Sequence, residues 1–312
     1  MSRLCLMTSL ARRAAWLFCW SLLGSGAPAG CSWLINPTAQ QCKVDSDCAA
    51  RGGAFAGSTC ADNFCVLPPP SQDLPVESAL PGNWTCVGNV KPAVPVKPKV
   101  QLTVTVNDLI HPEVSVSDAV VLRVCRKLDV KCTMPISDTV HPDAAGHAVF
   151  TVDGGFDGYI EVNPAVNPPV YIPTLVFVSS PVVDDLVYST SSLLSMADLP
   201  VLAMSTGGAT VDPTLGAVFF RAADCDRVAA SGIAGSLDED GPDTRKFFVI
   251  NGLPTQNANA TDASGLAGFI NVPIGGRIVS GTRVADSLFI GSVSVLIRPS
   301  TFSYSLLAPQ PL

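Results

Sequence analysis

Two stretches of this chain spell the same local pattern. Asp143-Ala-Ala-Gly146-His-Ala148-Val-Phe150 and Asp262-Ala-Ser-Gly265-Leu-Ala267-Gly-Phe269 share D-A-x-G-x-A-x-F at identical spacing. The pattern describes a turn feeding a strand. The Asp side chain can accept backbone N–H groups two residues on, and the Gly can take the positive φ that closes the turn. The small and aromatic residues then share one face of the outgoing strand. A glycine turn is expected after each strand, at Gly154-Gly155 and Gly275-Gly276. A strand reaching a cysteine is expected before each copy, at 120–125 and 218–225.

Around the repeat, short apolar runs alternate with turn residues about every ten positions, the signature of an all-β sandwich or barrel. Val100, Leu102, Val104 and Val106 alternate with Gln101, Thr103 and Thr105, a half-buried strand by period. Further strands are expected at 120–125, 148–152, 159–162, 175–178, 217–222, 246–250, 268–272, 289–297 and 302–307. In the last, Phe302, Tyr304 and Leu306 alternate with serines. Ser195-Met-Ala-Asp198 reads as a capping box opening a helix, which Pro200 shortens and Gly207-Gly208 end.

The cysteines bear on where such a chain folds. Residues 1–30 read as an export signal: Arg3, Arg12 and Arg13 surround or precede an apolar core at 14–23, and small residues follow. That core spans about 15 Å as a helix, half of a bilayer core of roughly 30 Å, too short for a permanent span. Two cleavage sites compete. Ala29-Gly30-Cys31 resembles a bacterial lipobox and would leave a lipidated Cys31 at the mature amino terminus, although Pro28 stands where an aliphatic residue is usual. Ala27-Pro28-Ala29 is a small-x-small site that would release a soluble protein. The first is favoured. It makes a membrane the expected partner, through a lipid anchor on Cys31, at the outer membrane or cell surface. A periplasmic or secreted location is the alternative.

Cys42-x5-Cys48-x11-Cys60-x4-Cys65 comes next. Residues 31–66 hold too little apolar material for a core, so disulfides must substitute for burial. Four cysteines allow three pairings that spacing does not distinguish; Cys42–Cys60 with Cys48–Cys65 is the expectation. Zinc would call for short spacings such as C-x2-C, and exported thiolates oxidise. Cys125 and Cys132 flank a polar RKLDVK segment and are expected to bridge a hairpin. Cys86 and Cys225 are then left to pair, which would pin Trp84 against the second half.

Residues 67–99 form a linker in which Pro92, Pro95 and Pro98 recur every third position, favouring an extended polyproline II spacer. Asn83-Trp84-Thr85-Cys86 interrupts it and is expected to dock on the following domain. Asn83-x-Thr85 and Asn259-x-Thr261 are read as chance glycosylation sequons. Beyond residue 30, 16 basic residues face 26 acidic ones, a formal charge of −10. Such a surface repels phosphates, so nucleic acid is not an expected partner.

The strand, variable loop and D-x-x-G-x-x-x-F turn resemble the carboxypeptidase regulatory-like, transthyretin-type β-sandwich. Thr261 extends the match in the second copy, whereas Pro142 replaces it in the first. With Asp45-Ser-Asp47-Cys48, the whole arrangement is similar to cysteine-rich lipoproteins of myxobacteria. The resemblance implies an all-β chain of two tandem Greek-key sandwiches after a small disulfide-rich module and a Pro-rich linker. The implied organisation is a signal at 1–30, a cysteine-rich module at 31–66, the linker at 67–99, sandwiches at 100–185 and 215–308, and a connector with a short helix at 186–214.

Catalytic motifs are missing: there is no G-x-S-x-G and no H-E-x-x-H. Enzymes of transthyretin-type fold carry a terminal Tyr-Arg-Gly-Ser, which Phe302-Ser-Tyr304-Ser does not match. The two-Tyr, two-His iron set of intradiol dioxygenases is not visible either. The histidines are His111, His141 and His147; His141 and His147 flank Asp143 in a turn expected simply to face water. Asp238, Glu239, Asp240 and Asp243 read as a solubilising loop. The Asn/Thr/Ser-rich segment 253–264 reads as a sandwich-end loop, with Asn251, Gln256, Asn257 and Asn259 as candidate ligand residues. No enzyme, cofactor or metal is expected. The leading function is structural or interactive, with an envelope glycan or protein as partner; the alternative is a carbohydrate- or peptide-binding module using the sandwich-end loops.

Overall fold

The structure, a computed structural model, describes residues 42–50, 59–61, 64–66, 82–109 and 114–311. The leader, Cys31 and His111 lie outside these residues. The amino-terminal module contains α1 (Asp45–Ala49) and the hairpin of β1 (Thr59–Ala61) and β2 (Phe64–Val66), with Cys42 bridged to Cys60. Cys48 is also disulfide-bonded. The expected Cys48–Cys65 bridge involves a Cys65 side chain outside the described set.

The body is all-β and built of sandwiches. Its first half comprises β3 (Lys99–Asp108), β4 (Val120–Arg126), β5 (His147–Asp153), β6 (Gly158–Pro164), β7 (Thr174–Phe177) and β8 (Leu186–Leu193). After α2 (Leu199–Ser205) come β9 (Gly216–Ala222), β10 (Ile233–Leu237), β11 (Arg245–Ile250), β12 (Leu253–Thr255), β13 (Leu266–Val272), β14 (Gly275–Arg283), β15 (Leu288–Ile297) and β16 (Phe302–Leu307).

The halves repeat one topology. In the first, β5-β3-β8 faces β4-β6-β7; in the second, β13-β9-β16 faces β10-β14-β15, and β11 and β12 are an added hairpin. The last strand of each half runs parallel to its first, β8 to β3 and β16 to β9. The two halves are spliced. β16 also pairs in parallel with β7, from Phe302↔Thr174 to Ser305↔Phe177, so β12-β11-β13-β9-β16-β7-β6-β4 is one continuous eight-stranded sheet.

That sheet is buried on both faces. Leu122, Ile160, Val176, Phe219 and Tyr304 join Val100, Leu102, Phe150 and Val152 of the outer β3 and β5 in one core. Tyr159, Phe177, Phe220 and Phe269 turn the other way and join Val279, Ile290, Val293 and Val295 of β14 and β15 in a second. This is why β9 and β11 read as continuous apolar runs, AVFF and FFVI, while outer β3 alternates.

The repeated turn has the same geometry twice. Asp143 Oδ1 accepts from Ala145 N (2.9 Å) and His147 N (2.8 Å); Asp262 Oδ1 accepts from Ser264 N (2.8 Å). Gly146 and Gly265 sit at φ +79° and +70°. Each glycine lies against the end of the first strand of its half: a Cβ would fall 2.6 Å from Val106 O in one copy and 2.4 Å from Ala222 O in the other.

Several local expectations are corrected. β9 is the counterpart of β3, so the strand reaching Cys125 and the one reaching Cys225 are not equivalent. Gly154-Gly155 turn the chain, but Gly275-Gly276 belong to β14, paired with Ile297 and Leu296. The Ser195 hydroxyl does accept from Asp198 N (3.2 Å), yet the helix starts only after Asp198. Pro200 therefore falls in its first turn, where the missing N–H costs nothing, instead of cutting it short.

Candidate functional site

The strongest concentration of polar chemistry lies where the halves meet. Arg123 on β4 faces Glu161 on β6 as a cross-strand pair. Arg298, just past β15, reaches over from the second half. The Glu161 carboxylate accepts from both guanidiniums, Arg123 through Nε and Arg298 through Nη1, and its side chain is only 5% exposed. Arg298 also donates to the Tyr159 hydroxyl (2.7 Å) and to Val130 O (2.9 Å). Tyr159 in turn donates to Asp129 O. Burial pushes the Tyr159 hydroxyl up, so it stays a neutral donor.

This network holds the loop between β4 and β5 from beneath. Cys125 and Cys132, both buried, close the loop with a disulfide. The Asp129 carboxylate accepts from Met134 N (2.8 Å) and Thr133 N (3.0 Å), bonds that hold it below the usual carboxylate range. What the loop turns outward is apolar: Leu128 is 91% exposed, Met134 73% and Val130 53%. Arg126 and Lys131 of the same segment are also exposed, and Lys127 is paired with Asp157 at 3.0 Å. An open groove of about 540 Å³ runs beside it, lined by Lys127, Leu128, Ile136, Phe156 and Asp157.

Across the molecule, Cys86 and Cys225 form a disulfide over a separation of 139 residues. Asn83 N donates to Asp224 Oδ2 (2.8 Å), Cys225 N donates to Asn83 O (2.9 Å), and the Arg283 guanidinium lies 5.4 Å from the Trp84 ring centre. The linker segment is thus fastened to the second half before it runs on to β3 of the first.

Two of the candidate ligand residues are tied to neighbouring segments. Asn251 (φ +52°) donates its backbone N–H to Asp262 Oδ2 (2.7 Å). Gln256 Nε2 donates to Thr206 O (2.6 Å), tying the loop to the end of α2. Asn257 and Asn259 are exposed. His141, Asp143 and His147 are exposed, and the Asp143 carboxylate is taken by its own turn. Among the described residues, the ligand clusters with metal-like spacing are Cys42/Cys48/Cys60 and Cys125/Cys132/Glu161, whose thiols are oxidised. Among the same residues, no helix is long and apolar enough to cross a membrane. Arg123, Glu161, Arg298 and the apolar loop tip were not singled out by sequence. The available signal was a charge inside each of two apolar strands, VVLRVCR and GYIEVNP.

No family model matches the chain, and no curated protein matches it. Among solved structures it is similar to the Bacillus anthracis TIE protein, at 11% identity over 68% of this chain and 34% of that one, with a TM-score of 0.23. It is similar to a streptococcal ancillary pilin at 11% identity, over 69% and 64% of the two chains, with a TM-score of 0.23. For GBS52, the minor pilin of Streptococcus agalactiae, the values are 15%, 68% and 98%, and 0.21. The chain spans about a third of the first of these and less than two thirds of the second.

Proposed function

We propose that the chain is a non-catalytic, exported protein of the cell envelope, lipid-anchored at Cys31. In this reading the double sandwich meets a protein partner through the loop at 126–134. Disulfides persist in oxidising compartments outside the cytosol, which supports export. The observation that carries the contact surface is the way this loop is held. Its disulfide, the Asp129 cap, Tyr159 and Arg298 fix its backbone, while Leu128, Val130 and Met134 point to solvent. A preorganised loop loses little entropy on binding, and apolar anchors on such a surface concentrate binding energy.

Two measurements test this. The intact mass of the mature amino terminus is expected to show an acylated Cys31; a free terminus at Gly30 rejects the anchor. A photo-crosslinking residue at position 128 in intact cells is expected to capture one discrete partner band, lost on Met134→Asp. The same residue at exposed Val187 serves as control. Equal labelling from both positions rejects the loop as the contact.

A further inference from the structure

Sulfur is the most oxidisable element in the chain, and its atoms fall into two groups. Among the described residues, the cysteine side chains are all disulfide-bonded, so none offers a thiol to an oxidant. The thioethers are what is left. Beyond residue 30 the methionines are Met134, Met196 and Met204. Met196 precedes α2 and Met204 lies within it; they are 44% and 39% exposed. Met134 is 73% exposed, on the loop that also turns Leu128 and Val130 outward.

The Met134 backbone is fixed from both sides. Its N–H donates to the Asp129 carboxylate (2.8 Å). Cys132, two residues earlier, is bridged to Cys125, and Ile136 N, two residues later, donates to Val124 O (2.8 Å). The Met134 side chain belongs to neither core. A chemical change at its sulfur therefore alters what the loop presents and spares what holds the loop in place. The same change in a packed methionine would disturb the fold.

We propose that Met134 is a reversible oxidation site controlling the contact loop: a peroxide converts its thioether to the sulfoxide, and the sulfoxide releases the partner. This rests on the loop at 126–134 being the contact surface. In the forward step the O–O bond of the peroxide breaks, one oxygen bonds to the Met134 sulfur, and the other leaves as water. The sulfur is oxidised and the peroxide reduced. No net charge appears, but a strong S=O acceptor stands where an apolar atom stood. Burying it against an apolar pocket that lacks a donor costs free energy, so the complex weakens. The reverse step belongs to a methionine sulfoxide reductase, whose dithiol carries the oxygen away as water. Cys125 and Cys132 are buried, so the loop stays closed while that dithiol acts on the exposed side chain.

Two measurements test the site and its effect. Wild-type chain is treated with dilute hydrogen peroxide and followed by peptide mass spectrometry. Met134 sulfoxide is expected to form about threefold or more faster than sulfoxide at Met196 or Met204, with unchanged circular dichroism. Equal rates at the three positions, or loss of circular dichroism in step with Met134 oxidation, overturn the proposal. The second measurement uses the chain with Met196→Leu and Met204→Leu, conservative changes that leave Met134 as the oxidisable methionine, and a photo-crosslinking residue at position 128. The purified chain is oxidised, freed of peroxide and mixed with solubilised envelope, so the partner never meets the oxidant. The cross-linked band is expected to fall about fivefold or more and to return after treatment with sulfoxide reductase. A band unchanged with Met134 fully oxidised overturns the control and leaves the contact standing. A band absent before oxidation, here and in intact cells, overturns the contact and the control with it.

Discussion

Replacing Arg298 by Met tests whether the splice between the halves is held by charge. Methionine keeps most of the apolar stem and removes the donors to Glu161, the Tyr159 hydroxyl and Val130 O. Hydrogen bonds to charged groups contribute about 1.5–3 kcal/mol, and the Arg298 side chain is only 21% exposed. Arg123 still neutralises Glu161 in this variant, so the expected loss is about 2–4 kcal/mol, not the cost of a stranded charge. Glu161→Gln is harsher. It leaves two guanidiniums around a neutral amide and is expected to cost about 3–5 kcal/mol. Because both changes act on one network, the double variant should fall short of the sum by about 0.5–3 kcal/mol. Replacing all three charges with apolar residues (Arg123→Met, Glu161→Leu, Arg298→Met) should cost less than Glu161→Gln alone, since no charge is then left buried and unpaired. Urea unfolding followed by circular dichroism reads each value from the midpoint and slope. An Arg298→Met midpoint within about 0.5 kcal/mol of wild type, the range of an ordinary surface change, would show that apolar packing alone holds the halves together. Strict additivity of the two single changes would refute the shared network.

Three further outcomes follow from geometry already described. Gly146→Ala and Gly265→Ala should each cost about 1–3 kcal/mol, because both residues have positive φ and a Cβ would strike a strand carbonyl; similar urea midpoints for the two variants are expected, and a neutral Gly265→Ala contradicts the shared turn. Cys86→Ser with Cys225→Ser opens a loop of 139 residues, worth roughly 5 kcal/mol in the chain-entropy model; the expected readout is a lowered thermal midpoint together with faster proteolysis between residues 82 and 98. Acid should also destabilise the fold. Donors from Met134 and Thr133 hold Asp129 below its ordinary 3.8, that from His147 does the same for Asp143, and Arg283 holds Asp286 at about 2. Groups held lower in the folded chain than in the unfolded one stabilise fully above the unfolded value and lose that effect as pH falls through the folded one. The thermal midpoint should therefore drop between about pH 5 and pH 2, and Asp129→Asn should flatten part of that drop; a midpoint unchanged down to pH 2 contradicts it.

What could be read from sequence depended on whether a strand's neighbours were local. β3 alternates cleanly because one face meets solvent, and its period gave it away. The D-A-x-G turn was legible because its hydrogen bonds close within a few residues. β14, GGRIVSGTR, was not: its glycines have poor strand propensity, and it is a strand because β10 and β15 pair with it on both sides. β16 misled in another way. Its serines alternate with Phe302 and Tyr304 as on a half-buried strand, yet Ser303 and Ser305 are fully buried, and Ser303 donates to Leu296 O. Ser303 is compatible with burial because its hydroxyl finds a backbone acceptor, whereas the buried Ser305 hydroxyl has none among the described residues, and no periodicity rule contains that information.

The seam shows why the candidate site resisted sequence reading. A repeat announces what its copies share, while the chemistry that joins them lies in what they do not share. β7 ends at Phe177 and is followed by Val178; β15 ends at Ile297 and is followed by Arg298. The first ending is buried and apolar, as a strand leaving a core should be. The second substitutes a guanidinium whose acceptor, Glu161, lies 137 residues away in the other copy. Glu161 already has Arg123 within its own half, whereas the carboxylate that Arg298 meets lies only in the other. An arginine at the close of one strand and a glutamate inside another are each costly to bury alone. Glu161 is compensated by Arg123 from the start, but Arg298 meets its carboxylate only once β16 has slotted beside β7. The same splice carries Arg298 to Val130 O and so braces the loop that exposes Leu128. Breaking the seam should therefore loosen that loop before it unfolds either sandwich. Hydrogen exchange at residues 126–134 in Arg298→Met, compared with β3 and β13, distinguishes the two: faster exchange confined to the loop is expected, and uniform acceleration across both halves would show that the brace is global.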